Sequence, residues 1–69
     1  MIQLGIYKHY KGNLYEVIGM ATHSETLEDM ILYKPLAGEQ KVWVRPLSMW
    51  DNPIELDGVT VKRFEYIEQ

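Results

Sequence analysis

An all-β fold is what this chain of 69 residues predicts, and three observations predict it. Short runs of β-branched and aromatic residues follow one another along its whole length. Gly, Pro and Asn punctuate those runs at close intervals, as turns require. No stretch repeats apolar residues at the helical period.

The first run is Gly5-Ile6-Tyr7-Lys8-His9-Tyr10. Lys11-Gly12-Asn13 then offers residues that tolerate positive φ, and Leu14 to Ala21 reads as the return strand of a β-hairpin. Strict alternation would set Tyr15, Val17, Gly19 and Ala21 on one face. Thr22 to Asp29 is polar. Its Thr22-x-x-Glu25 spacing matches a capping box, but no apolar helical stripe follows, so a loop is expected.

Met30 to Lys34 forms the third strand, ended by Pro35, and Leu36 to Lys41 turns the chain through Gly38. Val42 to Arg45 is the fourth. Its alternation puts Trp43 and Arg45 on one face and Val42 and Val44 on the other, and Pro46 closes it because proline cannot donate to a ladder. Leu47 to Trp50 reads as a short turn or a single 3₁₀ turn, and Asp51-Asn52-Pro53 as a second connection. Asp57-Gly58 is a turn pair between Ile54-Glu55-Leu56 and a final run from Val59 to Phe64. The result is five or six short strands in one domain over residues 1–69. Closing them on themselves removes exposed edges, so a small SH3-like barrel is the expected architecture.

A domain this short buries only about 60% of its unfolded surface and commonly leans on disulfides or a metal. Here there is no cysteine, and His9 and His23 lack the paired spacing of a zinc site, so neither metal nor cofactor is expected. The core must come from packing, for which two Trp, five Tyr and one Phe supply material. No apolar run is long enough to cross a membrane as a helix, and no signal-peptide pattern opens the chain, which makes a cytoplasmic protein the expectation. The net charge of −3 argues against a general nucleic-acid binder, although Lys8 and Lys11 form a local basic segment without acids.

Several motifs in fixed order resemble a known family. They are Gly5-x-Tyr7-x-His9-x-Lys11-Gly12, Tyr15-Glu16-Val17, Ala21-x-His23-Ser24-Glu25-Thr26-Leu27-Glu28, Tyr33-x-Pro35-Leu36, Trp43-Val44-Arg45-Pro46-x-x-Met49 and Arg63-Phe64. Across nearly the whole length the chain is similar to the bacterial domain-of-unknown-function family numbered 1653. That resemblance implies an SH3-type barrel and a stand-alone bacterial protein, and it implies no activity.

The residues nominate a site without a reaction. His23-Ser24-Glu25-Thr26 contains a base, a hydroxyl and a carboxylate, yet a triad must converge in space and neighbours in a loop point apart. Short polar side chains there more commonly hold the loop backbone. Trp43 is expected in the barrel interior, with Arg45 paired to an acid of the loop, Glu25 being the nearest in kind. Arg45 and Arg63 each need a carboxylate or an anionic ligand. Tyr7, Tyr10 and Tyr15 interleave with Lys8 and Lys11 as in single-strand nucleic-acid binders, though an ordinary hairpin accounts for them equally simply.

The reading adopted is a non-catalytic binding module for RNA or another small anionic ligand. Its expected ligand-binding residues are His23, Ser24, Glu25, Thr26, Arg45 and Arg63, and no catalytic residue is assigned. The alternatives are a small hydrolase-type enzyme using His23 and Glu25 and a purely protein-interaction domain.

Overall fold

The computed structural model describes residues 2–38 and 41–69. The described residues form seven strands and one 3₁₀ turn: β1 (Gly5–His9), β2 (Leu14–Thr22), β3 (Asp29–Pro35), β4 (Trp43–Pro46), η1 (Leu47–Met49), β5 (Pro53–Leu56), β6 (Val59–Lys62) and β7 (Phe64–Glu68). The all-β architecture is as expected. Five strands form an antiparallel sheet in the order β4-β3-β2-β1-β7, and β5 and β6 form a separate two-stranded ribbon.

The turns follow from local chemistry. Gly12 takes a φ of +104°, and its N–H donates to the His9 carbonyl at 2.7 Å, closing the β1–β2 hairpin. Asp57 and Gly58 both take positive φ, 50° and 80°, the requirement of a two-residue type I′ hairpin between β5 and β6. The expected loop from Thr22 to Asp29 is shorter by a residue at each end: Thr22 and Asp29 pair as the ends of β2 and β3, and residues 23–28 make the connection. Part of the expected turn from Leu36 to Lys41 lies at positions 39 and 40, outside the described residues.

Three further expectations are corrected. The last run is not one strand: the chain bends at Arg63, so Val59–Lys62 pairs with β5 while Phe64–Glu68 pairs with β1. That bend raises the strand number to seven and leaves β4 and β7 as the two edges, with no ladder joining them among the described residues, so the sheet stays open. Strict alternation in β2 also fails. The pairing register shifts between Val17 and Gly19, so Val17 opposes Tyr33 while Gly19 opposes Leu32. One extra residue inverts the faces beyond it. Gly19 and Ala21 therefore leave the face of Tyr15 and Val17, and Met20, opposite buried Ile31, takes it.

The third correction concerns the core. Trp43 is 56% exposed on edge strand β4, whereas Trp50 is 0% exposed. Strand β4 presents Trp43 on the inner face but at its margin, beside Tyr33 only. The 3₁₀ turn Leu47–Met49 swings the chain back over the sheet, its Leu47 carbonyl accepting the Trp50 N–H at 3.0 Å, and Trp50 drops onto the inner face. Its ring stacks on Phe64 with centroids 3.8 Å apart and planes 4° apart, and meets Tyr7 and Tyr33 edge-on at 5.5 and 5.1 Å. Tyr7, Val17, Ile31, Tyr33, Trp50 and Phe64 form the buried core.

Replacing a buried large aromatic by alanine costs about 3–5 kcal/mol, most of what so short a domain holds. Trp50→Ala should therefore lose its cooperative urea transition. Trp43→Ala should unfold within about 1 kcal/mol of the wild type, because an exposed site loses little burial. Equal losses in the two variants would contradict this assignment of the core.

Candidate functional site

Arg45, Arg63 and His9 meet around Phe64, although by register Arg45 belongs to the Met20–Ile31 end of the sheet and His9 to the end that carries the β1–β2 turn. Arg45 shares that face of β4 with Trp43 and stands opposite Ile31 of β3. Arg63 occupies the bend between β6 and β7, where its carbonyl accepts the Tyr10 N–H at 2.9 Å. His9 ends β1 opposite Phe64. The Arg45 guanidinium carbon lies 5.6 Å from the centre of the Phe64 ring, within cation–π range.

These are the only two arginines of the chain. Neither forms a salt bridge among the described residues, although the chain carries ten acidic side chains against seven basic ones. The Nε of Arg45, the Nε of Arg63 and the indole Nε1 of Trp50 are buried and donate to no acceptor of the protein among the described residues. All three are donors, and all three belong to residues around Phe64: one precedes it, one stacks on it and one lies over it. Unpaired buried donors are costly and uncommon.

His9 records the local field. Burial, then the positive charges of Arg63, Lys11 and Arg45, hold its pKa below the ordinary value of 6.5. The Lys11 backbone N–H donates to its Nδ1 at 3.2 Å, which assigns the proton of the neutral ring to Nε2. Aromatic rings continue outward. His9 lies 4.5 Å from Tyr10, 6.3 Å from Tyr15 and 4.9 Å from Phe64, Tyr15 lies 5.5 Å from Tyr33, and Tyr33 lies 6.5 Å from Trp43. The surroundings of Phe64 are thus cationic as well as aromatic. Lys8, opposite Glu65, shares a cleft of about 450 Å³ with His9 and Tyr10, and the β5–β6 ribbon lines it with Leu56, Thr60, Val61 and Lys62.

The His23–Thr26 segment is built differently. His23 Nδ1 accepts the backbone N–H groups of Glu25 and Thr26 at 3.1 and 3.2 Å, and the Thr26 hydroxyl donates to the Glu28 carboxylate at 3.1 Å. Leu27 takes a φ of 63° to close this loop. The His23 ring and the Thr26 hydroxyl, which also accepts the Glu28 N–H at 3.2 Å, are thus engaged within the loop. The expected Glu25–Arg45 ion pair does not form: Glu25 is exposed in the loop, while Arg45 lies over the Phe64 ring. The physical reason is the face Arg45 occupies. Its side chain shares the inner face with Trp43, and the aromatic core draws it there.

Arg45 and Arg63 are thus brought together, and no hydrogen bond or ion pair joins them to His23, Ser24, Glu25 or Thr26. His9 is the residue that sequence reasoning passed over. The available signal was that Tyr7 and His9 share one strand face, which makes His9 an inner-face residue of the hairpin.

The molecule defined by these features is a small open-sheet β-domain with a basic, aromatic inner face. The family model described as "Protein of unknown function (DUF1653)" matches residues 5–66, and the chain belongs to that family. Among solved structures it is similar to a protein of the same family from Bordetella bronchiseptica, at 29% identity and a TM-score of 0.86, over 96% of this chain and 87% of that one. A search of curated proteins finds no match. No helix among the described residues is long and apolar enough to cross a membrane.

The His9 shift has a consequence for stability. Near and just below pH 6.5 the unfolded chain binds a proton that the native ring resists. The unfolded state then holds more protons, so this contribution is fully present above pH 6.5 and is lost as pH falls through the native pKa. The difference in unfolding free energy between wild type and His9→Gln should therefore slope below pH 6.5 and flatten above it. Parallel stability–pH curves would show that His9 is not so perturbed.

Proposed function

We propose that this domain is a non-catalytic binding module for an anionic ligand, seated on Arg45, Arg63 and His9. The observation that carries the reading is the convergence of both arginines on one histidine, with no carboxylate partner among the described residues of an acidic chain. Partly buried arginines are rarely left unpaired. Neither has a salt-bridge partner among the described residues, and an anion would supply one through charge-assisted hydrogen bonds. The positions also suit binding. Arg45 is held by a sheet strand and Arg63 by a bend whose carbonyl is tied to Tyr10, so both are presented from a rigid base.

His23, Ser24, Glu25 and Thr26 enter this reading as its rim. Strand β3 runs from Asp29 at the end of that loop to Ile31, the cross-strand neighbour of Arg45. The loop thus stands two residues along the strand from the arginine that faces the ligand.

A site held together by its ligand has a measurable signature. At matched ionic strength, replacing chloride by phosphate should raise the melting temperature of the wild type, since a ligand that binds only the folded state stabilises it by mass action. An Arg45→Gln/Arg63→Gln variant should lose that response. It should also be no less stable than the wild type without phosphate, because neither charge has a salt-bridge partner to lose among the described residues. An equal rise in both proteins would place the effect on general salt action and refute the site.

A further inference from the structure

The site just proposed is defined by charge, yet its surroundings are aromatic, and the two features are spaced along one strand. Trp43 and Arg45 occupy the same face of β4, two residues and so about 6.6–6.8 Å apart. Trp43 is 56% exposed, the largest side chain so placed, and Tyr33 touches it from one flank only, at 6.5 Å and 52°. The structure therefore offers an open indole platform one strand step from Arg45, whose guanidinium lies over Phe64. Arg63 immediately precedes Phe64, and Lys11 stands 5.9 Å over the Tyr10 ring beside His9.

We infer that the ligand of the Arg45–Arg63 site is a phosphorylated nucleoside, its phosphate on the two arginines and its base stacked on Trp43. This rests on the anion-binding reading and adds the ligand class. The charge count favours phosphate over carboxylate. Two guanidiniums with Lys11 nearby match a group bearing close to two negative charges, where a carboxylate carries one. The platform favours a flat ring, because stacking on an exposed aromatic needs only a π-face and accepts any base. An apolar partner would leave the two arginines uncompensated, and a bare phosphate would leave the indole uncovered. The same chemistry occurs in a free mononucleotide and in one residue of a single-stranded RNA, so the experiment carries an arm for each.

The full chain is titrated at low salt with inorganic phosphate, ribose 5-phosphate, AMP and a short oligoadenylate. Binding is followed by calorimetry and by quenching of tryptophan fluorescence, to which buried Trp50 gives a constant background. AMP should bind at least about tenfold more tightly than ribose 5-phosphate, the scale of one stacked base. Trp43→Ala, checked by circular dichroism to be folded, should reduce AMP to the level of ribose 5-phosphate and leave phosphate binding unchanged. Trp43→Phe, which keeps a platform, should retain part of the difference. Tighter oligoadenylate binding with a steeper salt dependence identifies the strand as the source, and affinity equal to that of AMP identifies the free nucleotide; both outcomes support the inference. If AMP and ribose 5-phosphate bind equally well, or if Trp43→Ala keeps the preference for AMP, the nucleoside assignment is overturned while the anion site stands. If none of the four compounds binds the wild type, the anion site fails and the nucleoside assignment with it.

Discussion

The stacked pair of Trp50 and Phe64 is the contact on which the rest of this fold depends. With no cysteine and an open sheet, the domain has neither a covalent staple nor a closed ladder to resist unfolding. What joins the middle of the chain to its end is one indole laid flat on one phenyl ring. Tyr7 of β1 and Tyr33 of β3 meet that indole edge-on, so a single side chain touches both flanks of the hairpin and the terminal strand. Edge-to-face and offset contacts use the ring quadrupole as well as the buried area. That is a dense use of few residues, which a chain this short requires.

Two local irregularities make this arrangement reachable. The bulge at Ile18 inverts the remainder of β2, which places Met20 rather than Gly19 against Ile31. The bend at Arg63 lets one continuous run serve two sheets, ending the β5–β6 ribbon and starting the edge strand beside β1. The same bend sets Arg63 next to Phe64 and ties its carbonyl to Tyr10. The device that finishes the fold therefore also delivers one half of the candidate site.

That site runs against the economy of the remainder. Around Phe64 the domain keeps two arginines with no salt bridge among the described residues, a histidine whose pKa is lowered by burial and then by nearby cations, and an indole N–H with no acceptor among the described residues. Each feature costs stability in a domain with little to spare. The loop at residues 23–28 follows the opposite logic, since the His23 ring and the Thr26 hydroxyl bond its own backbone. Uncompensated groups held on a rigid sheet are what the proposed anion site would use.

Much of the fold was legible in the sequence by itself. Gly12-Asn13 and Asp57-Gly58 announce their hairpins because positive φ is a property of the residue. Pro46 ends β4 because it has no N–H, and Trp43 and Arg45 share a face because strands alternate. That Arg45 and Arg63 each call for a carboxylate or an anionic ligand was likewise a reading of residue type, since arginine is rarely buried unpaired. Which tryptophan fills the core was not: Trp43 and Trp50 differ little in local pattern, and the choice between them is made by a turn that returns one to the sheet and a ladder that leaves the other at its edge. The bulge at Ile18, the bend at Arg63 and the meeting of His9 with both arginines were also decided in three dimensions. Each depends on pairings between residues distant in the chain, and side-chain alternation within one strand carries no information about its partner's register.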